Sequence, residues 1–207
     1  MFDLSHLNTM TIDNAGMLIP ISFIKTVPGD SFEISVDSLL RVLPQVVPLY
    51  SRQRLYIHAF KSNYSDLWND AQVYMTKGYT GNTILSRPAL SNDNLANFAS
   101  VTPGSLLDYM GLPIGMTRAQ IISNEINALP FMMYTRIYRD YFMNKNFYTT
   151  NKMWLPDDDH DFMLRTDGSI ASNPSMNSAG PKLGELYYRD FPQDYFTSAL
   201  PFPQLIS

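Results

Sequence analysis

The spacing of apolar residues changes near Ser62, and this change restricts the possible folds more than any other feature of the chain. Before it, Phe32, Ile34 and Val36 alternate with polar residues, which is the period-2 pattern of a half-buried strand. After it, apolar residues between positions 67 and 75 recur at the spacing of one helix face. The sequence therefore predicts a β region followed by a helical region.

The predicted β region extends from Gly16 to Lys61. Its first segment, 17–23, is followed by Val27-Pro28-Gly29-Asp30, where a proline of fixed φ precedes a glycine free to take positive φ. This turn predicts a hairpin with the alternating segment 31–37. A third strand over 54–60 is expected to have both faces largely covered. Its two alternating faces are Leu55, Ile57 and Ala59 on one side and Tyr56, His58 and Phe60 on the other.

Capping residues predict short helices in the second region. Ser65 is placed to cap a helix that Gly78 terminates. The pair Thr102-Pro103 opens a short helix that ends at Gly111, and Thr117 caps a further helix. The apolar residues assigned to these helices are Leu67, Trp68, Ala71, Tyr74, Met75, Leu106, Leu107, Tyr109, Ile121, Ile122 and Ile126.

The most strongly patterned helix follows Pro130. Its aromatic residues recur every three or four positions and form one stripe, with Arg136 and Asp140 off the stripe. Such a stripe is typical of a buried helix face rather than of a cofactor site, so we predict that it supplies packing or assembly anchors. The stripe consists of Phe131, Tyr134, Tyr138, Tyr141 and Phe142.

The last residues of the chain form an aromatic segment interrupted by proline. Pro201 and Pro203 lack a backbone donor and fix φ, so the segment is neither the interior of a helix nor a central strand. An apolar segment of this kind needs a surface to pack against. We therefore predict further assembly anchors in it, namely Tyr195, Phe196 and Phe202.

Composition favours a subunit of an assembly. Charged residues are 16% of the chain, below the roughly 25% usual in soluble domains. Aromatic residues reach 13%, and Tyr, Phe and Met are enriched at the cores of protein interfaces. A globular domain whose tyrosines line its own core is the alternative.

Several classes of chemistry are excluded by what the sequence lacks. The absence of cysteine removes disulfides, thiolate catalysis, Cys-ligated zinc and iron–sulfur clusters, and it suits a reducing cytoplasm. No P-loop, G-x-G-x-x-G or G-x-S-x-G motif occurs. The N-terminus has no signal-peptide pattern, and no apolar window is long enough to cross a membrane. None of these signals indicates an enzyme or a cofactor.

One acidic run is a candidate metal site. Asp157, Asp159, His160 and Asp161 offer carboxylate and imidazole ligands within five positions. The run lacks the glycine and the distal glutamate of a calcium-binding loop, so its specificity is poor. A solvated turn explains it better.

A local basic and aromatic surface is the candidate nucleic-acid contact. The net charge of −4 opposes attraction of the whole chain to a polyanion, so such a contact needs a local patch or a basic partner protein. Arg52, Arg54 and Lys61 lie beside Tyr56, a combination that binds single strands by phosphate pairing and base stacking. The sequence favours the simpler interpretation, an edge strand with solvated charges.

Several segments occur in a characteristic order. They are 2–7 (FDLSHL), 14–20 (NAGMLIP), 27–32 (VPGDSF), 104–113 (GSLLDYMGLP), 127–131 (NALPF), 141–146 (YFMNKN) and 194–201 (DYFTSALP). Together they resemble the major capsid protein of the Microviridae, particularly its gokushovirus branch. The resemblance spans nearly the whole chain.

This resemblance implies an antiparallel viral jelly roll, which has about eight strands when complete. Here it would be incomplete, with helical and long-loop insertions. The resemblance also implies about 60 copies in an icosahedral shell around circular single-stranded DNA, without catalysis. The expected location is the virion, assembled in the cytoplasm of a bacterial host.

The chain is interpreted as the N-terminal portion of such a protein, as a truncated gene product or as one piece of a split coat protein, because members of the family are substantially longer. Residues 1–207 then form a single domain. Its three parts are the first strands (1–61), a helical insertion (62–147), and a loop excursion with the aromatic connector (148–207). The remaining strands are expected from the same coat protein, and the chain alone is expected to fold poorly because its strand edges lack partners.

Two other functions compete with this interpretation. A jelly-roll module for carbohydrate would use exposed Tyr and Trp residues to stack on sugars. A metal-dependent hydrolase would use Asp157, Asp159 and His160.

Overall fold

A computed structural model of the chain describes residues 3–44, 52–68, 70–79, 81–82, 85–90, 98–142 and 186–189. The chain divides into two units. Phe23–Lys61 forms one, here called the 23–61 unit, and Met1–Ser22 with Ser62–Ser207 forms the other, here called the helical unit. The predicted division at 61, 147 and 207 within a single domain stays a prediction.

Five short α-helices lie in the described part of the helical unit. They are α1 (Tyr64–Leu67), α2 (Ala71–Thr76), α3 (Leu106–Tyr109), α4 (Arg118–Ser123) and α5 (Leu129–Ile137), and a π-helical turn (Tyr138–Phe142) continues α5. None of the helices in the described ranges has the length and apolar character needed to cross a membrane.

The single helix predicted from Ser65 to Gly78 is wrong, because the chain forms two helices there. Asn63, not Ser65, is the N-cap of α1, and its backbone N–H donates to the carboxylate of Asp66 at 3.3 Å. Trp68 then takes an extended conformation, with φ −151° and ψ 115°, and ends α1. This break allows the Trp68 ring to be buried, and it remains only 3% exposed. Burial of the largest side chain outweighs helix continuity here.

The helix predicted around Leu106 forms, but three residues later than its predicted cap. Ser105, rather than Thr102, is the N-cap of α3, and its hydroxyl accepts from the Asp108 N–H. At the other end, Leu112 N–H donates to Leu107 O at 3.0 Å and Gly111 N–H to Asp108 O at 2.9 Å, the two bonds of a Schellman motif. Gly111 has φ +92°, so the predicted terminator is confirmed.

Two other helix starts agree with the sequence. Thr117 is the N-cap of α4, and its N–H donates to the Gln120 side chain at 2.9 Å. This helix ends at Ser123, so Ile126 lies beyond it. The aromatic helix α5 begins at Leu129, one residue before Pro130, where a missing backbone N–H leaves no helical bond unmade.

The predicted strands do not form a sheet in the described residues. Residues 23–44 and 52–61 are irregular, apart from the turn at Pro28-Gly29. That turn agrees with the prediction, because Asp30 N–H donates to Val27 O at 3.1 Å and Gly29 has φ +99°. Ile34 is 66% exposed. The alternation identifies the side chains that a sheet would bury. A strand also needs a neighbouring strand with which to form hydrogen bonds, and the described residues provide none.

The prediction that both faces of residues 54–60 are covered is also wrong for the described chain. Leu55, Tyr56 and Ile57 are all exposed. The physical reason is the same, since side chains on either face of a strand are covered only when other segments pack on that strand.

Isolated antiparallel bridges hold the loops of the helical unit. Ala89 pairs with Asn127 and Ser100 with Thr117, which fastens the chain between α2 and α3 to the starts of α5 and α4. Met17 pairs with Tyr188 and joins the N-terminal segment to residues 186–189. The hydrophobic core lies among these elements. It consists of Leu67, Trp68, Ala71, Leu90, Val101, Leu106, Leu107, Leu112, Ile121, Ala128, Leu129, Phe131, Met132, Tyr134, Tyr138, Leu186 and Tyr187.

Candidate functional site

Three tyrosines stack at the centre of the helical unit. Tyr134 of α5 and Tyr138 of the π-helical turn both stack on Tyr187, and we call these three residues the tyrosine cluster. The ring centroids of Tyr134 and Tyr187 are 5.2 Å apart with planes at 8°. Those of Tyr138 and Tyr187 are 4.4 Å apart at 18°. All three rings are buried. Parallel aromatic pairs in this range add about 0.5–1.5 kcal/mol each beyond their buried area.

The Tyr134 hydroxyl joins three chain segments by hydrogen bonds. It donates to the Leu18 carbonyl at 2.8 Å and accepts from the Tyr187 N–H at 2.9 Å. The Leu18 N–H in turn donates to the Tyr187 carbonyl at 3.0 Å. Residues 17–18, α5 and residues 186–188 therefore meet at one buried hydroxyl, and the tyrosine cluster connects segments distant in the sequence.

Burial changes the acid–base behaviour of this cluster. It raises the pKa of Tyr187 to about 12 and raises that of Tyr134 well above its usual value near 10. The neutral phenols are thus favoured in the folded state.

Alkaline pH is expected to destabilise the helical unit. In the unfolded chain the two tyrosines ionise near pH 10, while in the folded chain they hold their protons to higher pH. Their stabilising contribution is complete below pH 10 and is lost as pH rises through about 12. Thermal melts between pH 8 and 12.5 measure this loss. The exposed Tyr79→Phe variant is the control and should leave the profile unchanged, whereas a flat wild-type profile would contradict the assignment.

The structure places the predicted helix anchors in two groups. Phe131, Tyr134 and Tyr138 are buried, and Phe142 is half-buried against the core. Tyr141 does not belong to the buried stripe, because it is 69% exposed. A π-helical turn needs more residues per revolution than an α-helix, so the α-helical stripe loses its register after Tyr138. The anchors Tyr195, Phe196 and Phe202 lie outside the described residues.

The candidate nucleic-acid residues lie in the 23–61 unit. Arg54 donates a hydrogen bond from Nη1 to the Tyr56 hydroxyl at 3.5 Å, and this bond raises the pKa of Arg54. Tyr56 stacks on His58, with ring centroids 6.3 Å apart. Arg52 and Lys61, at the two ends of the segment, are exposed. The structure therefore brings Arg54 and Tyr56 into contact, and their role in binding stays a prediction.

The rival sites receive no support from the described residues. The run Asp157, Asp159, His160 and Asp161 lies outside them, and no group of three potential ligands occurs within the described ranges. Trp68 is buried and is unable to stack on a sugar.

Tyr187 is the residue that sequence reasoning missed. It lies in the apolar triplet Leu186-Tyr187-Tyr188, which follows the mostly polar segment 165–185. This triplet is the sequence feature that could have indicated a buried residue at Tyr187. Its partner Tyr134 is 53 positions away, and no local pattern predicts such a pairing.

Comparisons with known proteins identify similar chains. Residues 1–206 match the family described as "Capsid protein (F protein)". The chain is 29% identical to capsid protein VP1 of Bdellovibrio phage phiMH2K over 90% of its own length and 30% of the relative. It is 26% identical to capsid protein VP1 of Chlamydia phage 1 over 97% of its length and 33% of the relative. Capsid protein VP1 of Spiroplasma virus 4 is 24% identical, again over 33% of its length. The chain thus spans about a third of these curated relatives.

Proposed function

The chain belongs to the capsid protein (F protein) family, and from this premise we propose that it is part of the major capsid protein of a small icosahedral single-stranded DNA bacteriophage of the Microviridae. The observation that carries the proposal is the family match over nearly the whole chain. The proposed role is structural. It requires association between copies and needs neither a catalytic residue nor a cofactor.

We further propose an antiparallel jelly roll that is incomplete in this chain. Phe32, Ile34 and Val36 support it, because they alternate with polar residues and are 44%, 66% and 54% exposed. Burying each of them on one sheet face would contribute about 1.5–3 kcal/mol. In our proposal the missing neighbours are strands from the rest of the same coat protein, and residues 62–147 are a helical insertion between strands.

The proposed partners follow from this role. About 60 copies form the shell, which is assembled in the cytoplasm of a bacterial host and becomes the virion. Single-stranded DNA is enclosed, in part through a basic partner protein that offsets the net charge of −4. No membrane is involved. Exposed Tyr141 is a candidate contact between copies, as are Tyr195, Phe196 and Phe202.

A charge placed at Ile34 tests whether this residue becomes buried in the shell. In the 207-residue chain alone, Ile34→Asp should change the free energy of unfolding by less than about 0.5 kcal/mol, since the side chain is exposed. In the full-length coat protein the same change buries an unpaired carboxylate, which costs several kcal/mol. We therefore expect the variant to form no particles in sedimentation and negative-stain microscopy.

Ser35→Asp is the matched control, because it adds the same charge on the opposite face of the same segment. It should assemble like the unaltered protein. Equal assembly of the Ile34 and Ser35 variants would contradict the proposed sheet, and failure of the unaltered full-length protein to form particles would contradict the shell function.

A further inference from the structure

The segment 54–60 carries three aromatic rings on one side. The centroids of Tyr56 and His58 are 6.3 Å apart with planes at 18°, and those of His58 and Phe60 are 6.1 Å apart at 30°. These spacings are close to the two-residue repeat of an extended strand, about 6.5–7 Å. Side chains at alternate positions therefore lie together, and Leu55 and Ile57 fall on the opposite side.

Positive charge surrounds this row of rings. Arg52, Arg54 and Lys61 are the charged residues between positions 51 and 61, and no acidic residue occurs there, although the whole chain carries a net charge of −4. The Arg54 guanidinium contacts the Tyr56 hydroxyl at 3.5 Å, so a cation lies at the edge of the first ring. The Tyr56 side chain is 59% exposed. A local basic surface with an accessible ring thus exists on an acidic chain.

We propose that this side of residues 52–61, here called the 52–61 face, binds single-stranded DNA. Bases would stack on Tyr56, and phosphates would pair with Arg52 and Arg54 on the same side and with Lys61 at the end of the segment. A duplex hides the faces of its bases, whereas a single strand exposes them to aromatic side chains. An acidic peptide would pair with the cations, but it lacks the planar bases that stack on the Tyr56 ring. This inference rests on the proposed function only where it identifies the bound single strand as the enclosed genome.

The alternation of this segment keeps the site compatible with a jelly roll. Leu55 and Ile57 are exposed apolar residues that a barrel interior would cover. The rings and Arg54 lie on the other side, and that side stays accessible when only the apolar side is covered. One strand then packs into the coat protein with one face and contacts the genome with the other.

Fluorescence anisotropy of the 207-residue chain with labelled oligo(dT) of about 20 nucleotides tests the site, since single-strand sites span about 4–16 nucleotides. Tyr56→Ala should weaken binding roughly 5- to 150-fold. Joint replacement of Arg52, Arg54 and Lys61 by glutamine should reduce the slope of log Kobs against log salt by about 2.

The controls are Tyr79→Ala, an exposed tyrosine of the helical unit, and the double change Lys25→Gln and Arg41→Gln in the 23–61 unit. They should leave binding within about twofold.

Unchanged affinity of Tyr56→Ala would overturn the inference, and so would equal losses in the controls. Binding that depends on the cations but not on Tyr56 would also overturn it, because a basic surface attracts any polyanion without base stacking. Ultraviolet crosslinking to bromodeoxyuridine-containing DNA gives a second measurement that does not depend on variant folding. Crosslinks are expected on the tryptic peptide 55–61, and their absence there would contradict the site.

If Tyr56→Ala binds normally while the full-length protein still forms particles, the inference fails and the proposed function stands. If the chain binds DNA through Tyr56 but the full-length protein forms no particles, the binding site stands and the proposed shell function fails.

Discussion

Replacing Phe131 with alanine is expected to lower the free energy of unfolding of the helical unit by about 3–5 kcal/mol. Phe131 is 2% exposed and lies in the first turn of α5 among the core residues. Removing its ring leaves a cavity that the neighbouring helices fill only in part. Tyr138→Ala should have a similar effect, because Tyr138 is 4% exposed and stacks on Tyr187.

Urea unfolding followed by the fluorescence of buried Trp68 measures this loss. Tyr141→Ala is the matched control, since it removes the same side chain three residues after Tyr138 but from a 69% exposed position. It should cost less than about 0.5 kcal/mol. A loss below about 1 kcal/mol for Phe131→Ala, or equal losses for Tyr138 and Tyr141, would show that the aromatic helix is not packed as described.

Tyr134→Phe is expected to cost about 2–4 kcal/mol although it removes a single oxygen. The hydroxyl donates to Leu18 O and accepts from the Tyr187 N–H, and both partners lose this bond in the variant. Each buried group left without a partner costs about 1–3 kcal/mol. The phenylalanine ring keeps the stacking on Tyr187, so the change isolates the hydrogen bonds.

Tyr109→Phe provides the comparison in the same unfolding experiment. The Tyr109 hydroxyl also donates to a backbone carbonyl, that of Thr11, at 2.6 Å, but at an exposed position. Water replaces that partner, so the expected cost is about 0.5–1 kcal/mol. If the two variants lose the same stability, the Tyr134 hydroxyl does not connect buried segments.

Local sequence signals predicted those features that depend on neighbouring residues. Thr117 caps α4, Gly111 ends α3, and α5 starts beside Pro130, because each needs only a side-chain oxygen, a positive φ or a missing N–H within one turn. The same signals failed at Ser65, where burial of Trp68 breaks the helix. That burial depends on core residues from distant parts of the chain.

The β region shows a second limit of sequence reasoning. Alternation at Phe32, Ile34 and Val36 identifies a face, but pairing depends on segments that the described residues do not contain. For the tyrosine cluster, periodicity found Tyr134 and Tyr138, and only the structure supplied Tyr187. A stripe on one helix tells which side is buried, not which residue covers it.

A cryo-electron microscopy map of particles formed by the full-length coat protein that contains this sequence tests the proposed jelly roll and shell together. We expect a closed icosahedral shell in which residues 32–36 pair with a strand from outside positions 1–207, with Ile34 buried. A protein that forms no shell, or a shell in which Ile34 remains exposed to solvent without a neighbouring strand, would contradict it.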